Sequence, residues 1–357
     1  MPLFVLSFLT LIVLAVLSVA LPSREMSDLE NRVLTQSPPR FLSDRFSESF
    51  ERFAADQLPG RDRFVALHAM TEQLQLKLSS SGVIIMPPDR LLLTTDGYRD
   101  DYVRRNARAL KDIADGTGKR VLLLAVPTAA YTLVAGPIRP GMPLKDEGAL
   151  IKAAAGEIET VIPKYPPKGA SEPECYYRTD HHWTLHGAYC GYLAAAEALG
   201  LVPGEPESAH IHEADGFYGS LYARLPSPLI GADTLTWYDD GSLTLFIGEN
   251  KADGTVDTTK LEGRDKYAAL FYGNHPMITL VNDRASSGTL FVIKDSYANA
   301  LLPLLARHYR RVIAVDPRYY PGNIIEKVNA SEGDTVLCVY GMNTLATGRT
   351  IELMEGL

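Results

Sequence analysis

The sequence predicts an α/β fold: a parallel sheet covered by helices on both faces. Three observations carry that reading. The runs at 120–126, 289–293 and 335–340 are continuously apolar rather than alternating, as strands buried on both sides are. Helix-period stretches separate such runs, so the last third reads strand, helix, strand, helix, strand at 289–293, about 298–308, 311–316, about 322–329 and 335–340. A length of 357 residues, 46% of them apolar, is enough to build one large core or two modest ones.

Taken in order, residues 3–21 are apolar apart from Ser7, Thr10 and Ser18, about long enough to cross a bilayer as a helix. Ser18-Val19-Ala20 also has the small residues of a signal-peptidase site. Residues 1–22 are therefore expected to be a signal peptide or a membrane anchor, the longer run favouring the anchor. Residues 23–42 read as an extended polar lead with Pro38-Pro39. Ser43 is placed to cap a helix with Phe46, Phe50 and Phe53 on one face, ended by Pro59-Gly60. A second helix is expected from about Asp62 to Leu78, closed by the Ser-rich stretch up to Gly82. Residues 23–80 thus form a lead and helical segment, and 81–357 the α/β domain. Within that domain, helices are expected around 101–114 and 148–161 on either side of the 120–126 strand. Thr184 caps a further helix with Ala188, Tyr192, Ala195, Ala196 and Leu199 on one face, and Gly200 stops it. Between about 202 and 287 the texture turns Pro- and Gly-rich. Asp240-Gly241 between two strand-like runs predicts a β-hairpin there, within a β-rich insertion over the core.

The net charge of −8 and the absence of any basic cluster argue against a nucleic-acid partner. Cys175 and Cys190 flank the most chemically loaded stretch of the chain and are a possible disulfide; Cys338 reads as a buried strand residue.

That stretch is Asp180-His181-His182-Trp183-Thr184, a carboxylate, two imidazoles and an indole just before a helix. Far downstream, the 289–293 strand runs straight into Lys294-Asp295-Ser296-Tyr297 and another helix. A serine past the carboxyl end of a parallel strand, at a helix start, sits where α/β sheets bind ligands and where free N–H groups can hold an oxyanion. His182 is placed to take the serine proton, and Asp180 to orient the imidazole. Taken alone, Asp295-Ser296 also reads as a plain helix N-cap. A metal site is the chemical alternative, with His182 and His186 four apart and Asp180, His181, His212 and Asp215 nearby in sequence. There is no HExxH and no cysteine cluster, and neither metal nor cofactor is called for.

Asp180-His181-His182-Trp183 resembles the signature of the DHHW family, itself similar to SGNH-type O-acetyltransferases and acetylesterases that include periplasmic alginate-acetylating proteins. The lead Asp28-Leu29-Glu30-Asn31-Arg32 with Pro38, then Asp56-Gln57, Pro59 and Arg61-Asp62, resembles that family's N-terminal signature. Lys294-Asp295-Ser296-Tyr297 and Asp316-Pro317-Arg318-Tyr319 resemble its C-terminal blocks. The resemblance implies an SGNH-hydrolase-like, flavodoxin-like sheet with a circularly permuted order of catalytic blocks. It also implies Asp180 as orienter, His182 as base and Ser296 as nucleophile, with His181 at the variable position. Asn299, Asn274, Asn343 and Trp183 are candidates for the oxyanion or substrate contacts.

The function expected is acetyl transfer to, or acetyl removal from, a cell-surface polysaccharide, outside the cytoplasm, by a membrane-anchored or secreted protein. Residues 3–21 would reach the membrane, and a membrane partner would pass the acetyl donor across. A non-catalytic glycan-binding or assembly protein of the same fold is the alternative, with Phe217, Tyr218, Tyr222 and Trp237 as its binding aromatics.

Overall fold

Three apolar strands lie side by side at the centre of the molecule, and everything else is arranged around them. In the computed structural model, which describes residues 2–27, 32–36, 46–75, 79–134, 142–166, 174–348 and 351, the elements run as follows. The N-terminal part holds α1 (Pro2–Ala20), β1 (Met26–Ser27), β2 (Arg32–Val33), α2 (Phe46–Asp56), α3 (Arg61–Leu74) and a small antiparallel sheet of β3 (Ser79–Ser80), β4 (Val83–Met86) and β5 (Arg90–Leu93). Then come α4 (Asp100–Thr117), β6 (Arg120–Val126), α5 (Ala129–Leu133), α6 (Glu147–Ala155), β7 (Thr160–Val161) and α7 (Leu185–Leu199). A β-rich stretch follows: β8 (Ile211–Phe217), α8 (Ser220–Arg224), β9 (Asp233–Tyr238), β10 (Leu243–Ile247), β11 (Asn250–Lys251) and β12 (Met277–Asn282). The chain closes with β13 (Thr289–Lys294), α9 (Ala298–Ala306), β14 (Arg311–Val315), α10 (Ile324–Asn329), β15 (Thr335–Gly341) and α11 (Met342–Thr347).

The main sheet has the order β11-β10-β12-β14-β13-β15-β6-β7. The stretch from β14 through β13, β15 and β6 to β7 is parallel, with Val292 facing both Ala314 and Leu337, and Leu337 facing Leu122. The β12, β10 and β11 strands extend it antiparallel. The sheet is therefore mixed, not wholly parallel as the apolar runs imply. Leu122, Leu124, Leu290, Val292, Leu337 and Val339 face a core shared with α7 and α9. Their neighbours Val121, Leu123, Phe291, Ile293, Val336 and Cys338 face a second core shared with α4, α6, α10 and α11. Two buried faces are why these strands carry no polar alternation.

That layering also makes a crevice. The chain leaves β13 into α9 on one face, whereas it leaves the adjacent β15 into α11 on the other. Adjacent strands whose connections part to opposite faces open a gap at their carboxyl ends, and ligands bind in such gaps.

Several expectations are corrected. The strands flanking Asp240-Gly241 exist, but they do not pair with each other. Instead β9 pairs with β8, and β10 pairs with β12 on the edge of the main sheet. Gly241 still takes the left-handed conformation (φ 68°), so the turn signal is real, but each strand has a longer-range partner that buries it better. The helix expected at 148–161 stops at Ala155, and Thr160–Val161 adds a short parallel strand beside β6.

At the amino end, α1 covers most of the run expected to reach the membrane, and it exposes Phe4, Leu6, Phe8 and Val16. Among the described residues, however, no helix is long and apolar enough to cross a membrane, so the anchor expectation finds no support. Of the N-terminal signature, Asp28, Leu29, Glu30, Asn31 and Pro38 lie outside the described residues, as does the cap Ser43. The rest of it has a structural purpose. Gln57 exchanges hydrogen bonds with the Arg24 backbone (2.8 and 3.0 Å) and Asp56 accepts two from Thr35 (both 2.9 Å). Asp62 holds Arg24 at 2.7 Å and Ser27 at 2.9 Å. These polar side chains tie the lead, whose β1 and β2 pair with each other, onto the α2–α3 corner.

Candidate active site

Ser296 sits in the turn between β13 and α9, half-exposed at the crevice, while its neighbours Asp295 and Tyr297 are buried. Asp295 builds that turn. One of its oxygens accepts from the Tyr297 N–H (3.0 Å), and the other from the Gly341 N–H (2.9 Å) and the Thr344 hydroxyl (2.6 Å) at the end of β15. The Ser296 N–H has no hydrogen-bond partner among the described residues.

The Asp180–Thr184 segment arrives from the other side. Asp233 on β9 accepts from the Arg178 and Thr179 backbone N–H groups (3.0 and 2.8 Å) and from the Thr179 hydroxyl (2.6 Å). Thr184 caps α7 by accepting from the Gly187 N–H at 3.2 Å, and Gly200 ends the helix with φ 68°. Trp183 is fully buried and donates its indole N–H to the Tyr297 carbonyl at 2.9 Å. Gly187 and Gly191 leave room for it, since a Cβ at Gly191 would fall 2.7 Å from its ring. Trp183 thus clasps this segment to the start of α9 and is not a substrate contact.

The clasp brings Asp180, His182 and Ser296 together. His182 Nε2 lies 2.8 Å from Ser296 Oγ, and His182 Nδ1 lies 2.6 Å from Asp180 Oδ1. An ionised carboxylate only accepts, so Nδ1 carries the proton and Nε2 is left to accept from the serine hydroxyl. Asp180 also receives the His182 N–H (2.8 Å) and the Ser220 N–H (2.6 Å). Burial works against its charge. The two histidines and these hydrogen bonds outweigh that and hold its carboxyl below the usual range. Gly219 must be glycine, because a Cβ there would run into the Asp180 side chain.

His181 points elsewhere. Its Nδ1 lies 2.6 Å from the Ser220 hydroxyl, and burial together with the neighbouring His182 pushes its pKa down to about 3. The ligand atoms of Asp180, His181 and His182 lie within 4.8 Å of one another. The Asp180 oxygens and both His182 nitrogens are nevertheless taken by the hydrogen bonds above, which leaves little for a metal ion. His212 stacks on Trp237, and Asp215 accepts from Thr234, so neither joins them.

Of the oxyanion candidates, Asn299 is buried and accepts from Lys294 Nζ at 2.8 Å, and Asn274 is exposed. Asn343 lines a cleft of about 420 Å³ with Tyr98, Arg224, Arg318 and Thr344, and its Oδ1 has no hydrogen-bond partner. Thr344, which lines this cleft, donates to Asp295 next to Ser296 at 2.6 Å, so the cleft lies beside the site. Among the aromatics, Phe217 is core, whereas Tyr218 and Tyr222 form a half-buried pair under Arg264, whose guanidinium lies 5.4 and 5.3 Å from the two rings. Tyr267 goes unsingled by sequence. It stacks on His182 at 3.8 Å and 7°, and its hydroxyl donates to the Ser296 carbonyl at 2.9 Å. It lies in a short 3₁₀ turn with no motif around it, and only its place in the fold reveals it.

A comparison with curated proteins returned no match. Among solved structures, the chain is similar to a DHHW family protein from Eubacterium siraeum, with TM-score 0.64 and 19% identity over 78% of this chain and 96% of that one. It is also similar to PatB1 from Bacillus cereus, with TM-score 0.59 and 18% identity over 75% of this chain and 99% of that one. PatB1 carrying a sulfonyl adduct gives TM-score 0.58 and 17% identity, over 76% and 98%. At such identities the likeness is one of fold. The model of the DHHW family, described as "DHHW protein", matches residues 169–315, a segment that holds Asp180, His181, His182, Trp183 and Ser296. Over that segment the chain is similar to the DHHW family.

Proposed function

We propose that the chain is an extracytoplasmic, SGNH-like O-acetyltransferase or acetylesterase that acts on a cell-surface polysaccharide through an acetyl-serine intermediate. The observation that carries it is the hydrogen-bonded line Asp180–His182–Ser296 at a crevice where β13 ends. In the first half-reaction, Ser296 Oγ attacks the acetyl carbonyl carbon while its proton passes to His182 Nε2. The unpartnered Ser296 N–H, at the start of α9, meets the negative charge that develops on the carbonyl oxygen. Collapse breaks the bond to the donor's oxygen, which takes the proton from His182 and leaves acetyl on Ser296. In the second half, an acceptor hydroxyl gives its proton to His182 as its oxygen attacks the acetyl carbon; the bond to Ser296 Oγ then breaks, and Oγ takes the proton back from His182. Water as acceptor makes an esterase, and a sugar hydroxyl makes a transferase.

Asn343 would be the amide that joins the Ser296 N–H, and the cleft with Arg224 and Arg318 is where glycan would lie. The Tyr218–Tyr222 pair, next in sequence to the Gly219–Ser220 support of Asp180, suits the apolar face of a sugar ring. The apolar helix Pro2–Ala20 would serve as the export signal, residues 81–357 as the catalytic domain, and a membrane partner would supply the acetyl donor. The β-rich stretch 202–287 reads as an insertion in a circularly permuted SGNH order.

Two experiments test the proposal. A serine-directed sulfonyl fluoride should add one adduct to the wild type and none to Ser296→Ala; the adduct borne by PatB1 shows that a fold of this kind tolerates such a group. Release of acetate from acetylated sugars, with and without acceptor glycan, then separates esterase from transferase. No adduct and no acetate release would overturn the proposal.

A further inference from the structure

On the far side of the Asp180–Trp183 turn, two sulfurs and an imidazole converge. The ligand atoms of Cys175, His186 and Cys190 all lie within 4.8 Å of one another. His186 and Cys190 are four residues apart on α7, hence on one face of the helix. Cys175 is carried to them by backbone pairing: Tyr176 bridges to Trp183, and the Thr184 N–H donates to the Cys175 carbonyl at 3.0 Å. Gly187 lets that strand close in, since any Cβ there would run into the Cys175 carbonyl. The approach is therefore built into the sequence at three points.

We propose that Cys175, His186 and Cys190 form a binding site for a thiophilic metal ion of the zinc class. His186 Nε2 is shut off from solvent and has no hydrogen-bond partner, and a buried polar atom left so asks for one. Both cysteines are buried, and neither is in a disulfide. A Cys175–Cys190 disulfide would leave Nε2 as it stands, whereas a metal ion uses all three atoms. Two thiolates and an imidazole are a soft set, suited to Zn²⁺ with a fourth, non-protein ligand. Binding displaces the two thiol protons, and the two thiolate charges balance the ion's. The metal would fasten residue 175 to α7 and so close the loop that carries Asp180, His182 and Trp183, without touching Ser296. Its role is structural, and it is separate from acetyl chemistry.

The test uses the full chain, purified without chelator and reduced. Titration with Co²⁺ should give one equivalent of binding and a thiolate-to-cobalt charge-transfer band, displaced by Zn²⁺. Cys190→Ser should abolish the band, and His186→Ala should weaken binding by more than about tenfold. His212→Ala, on the exposed face of β8, should change nothing. If the cysteine variant does not fold, the wild type still decides. In the folded protein, Zn²⁺ should slow alkylation of Cys175 and Cys190 and leave the rate at Cys338 unchanged. A wild type without the band, with no protection by Zn²⁺, or with Cys175 and Cys190 joined in the native protein by mass would overturn the proposal.

Discussion

At the scale of single residues, the imidazole of His182 is held at both nitrogens, and its neighbour His181 at neither catalytic contact. His182→Ala should therefore abolish acetyl-ester turnover, while His181→Ala should keep it within about tenfold of wild type. Equal loss in both would break the assignment of His182 as the base. Asp180→Asn keeps the shape but no longer demands a proton on Nδ1, so turnover should fall by about 10⁴-fold with the sulfonyl adduct formed far more slowly. Trp183→Phe is a stability test. It strands the buried Tyr297 carbonyl, and about 1–3 kcal/mol of unfolding free energy should be lost in denaturant titration. A neutral result would mean that the clasp between the two halves of the site lies elsewhere.

Two elements carry effects that no single contact explains. The loop leading into α8 presses Gly219 against Asp180, so Gly219→Ala should cost about 1–3 kcal/mol and depress turnover at unchanged oligomeric state. The start of α6 buries Glu147 beneath the Thr128 turn, where it accepts from the Thr128 N–H at 2.9 Å and from its hydroxyl at 2.5 Å. Burial pushes its carboxyl up from the ordinary 4.5 to about 7, against those two hydrogen bonds. A raised carboxyl pKa means that the folded state holds a proton which the unfolded chain has already released. This contribution is fully present below about pH 4.5 and is lost as the pH rises to about 7. Glu147→Gln cannot release that proton, so its melting temperature should gain on the wild type across that window and run parallel to it outside. Parallel curves throughout would show that Glu147 is ionised in the fold. Elements with strong local signals, such as α7 between its Thr184 cap and Gly200 stop, follow their sequence closely. The Asp240-Gly241 strands do not, because a strand's partner is chosen by the area buried along its whole face rather than by the nearest turn.

For the whole molecule, the proposed location can be tested directly. Protease added to intact cells should reach the α/β domain, and protection until the membrane is breached would refute both the location and the glycan substrate built on it. Among the described residues, the apolar α1 meets the α2 corner, where Ile12, Val16, Val19 and Ala20 line a groove with Phe50. Removal of residues 2–20 should accordingly leave the melting temperature of the remainder nearly unchanged.

The sequence by itself determined the strands of the parallel centre, because continuous apolar runs leave no solvent-facing side, and it determined the caps and stops of α7, because these are local backbone chemistry. It also singled out Asp180, His182 and Ser296 by residue type and by place at element ends. The tertiary structure alone decided that these three stand within hydrogen-bond reach across 114 residues of chain. It alone decided that Trp183 is a clasp, that Asn299 holds Lys294, that Tyr267 stacks on the imidazole, and that Cys175 meets the α7 pair. Each of these depends on how strands from distant parts of the chain pair and which face their connections take, and long-range pairing leaves no periodic trace in the residues that it joins.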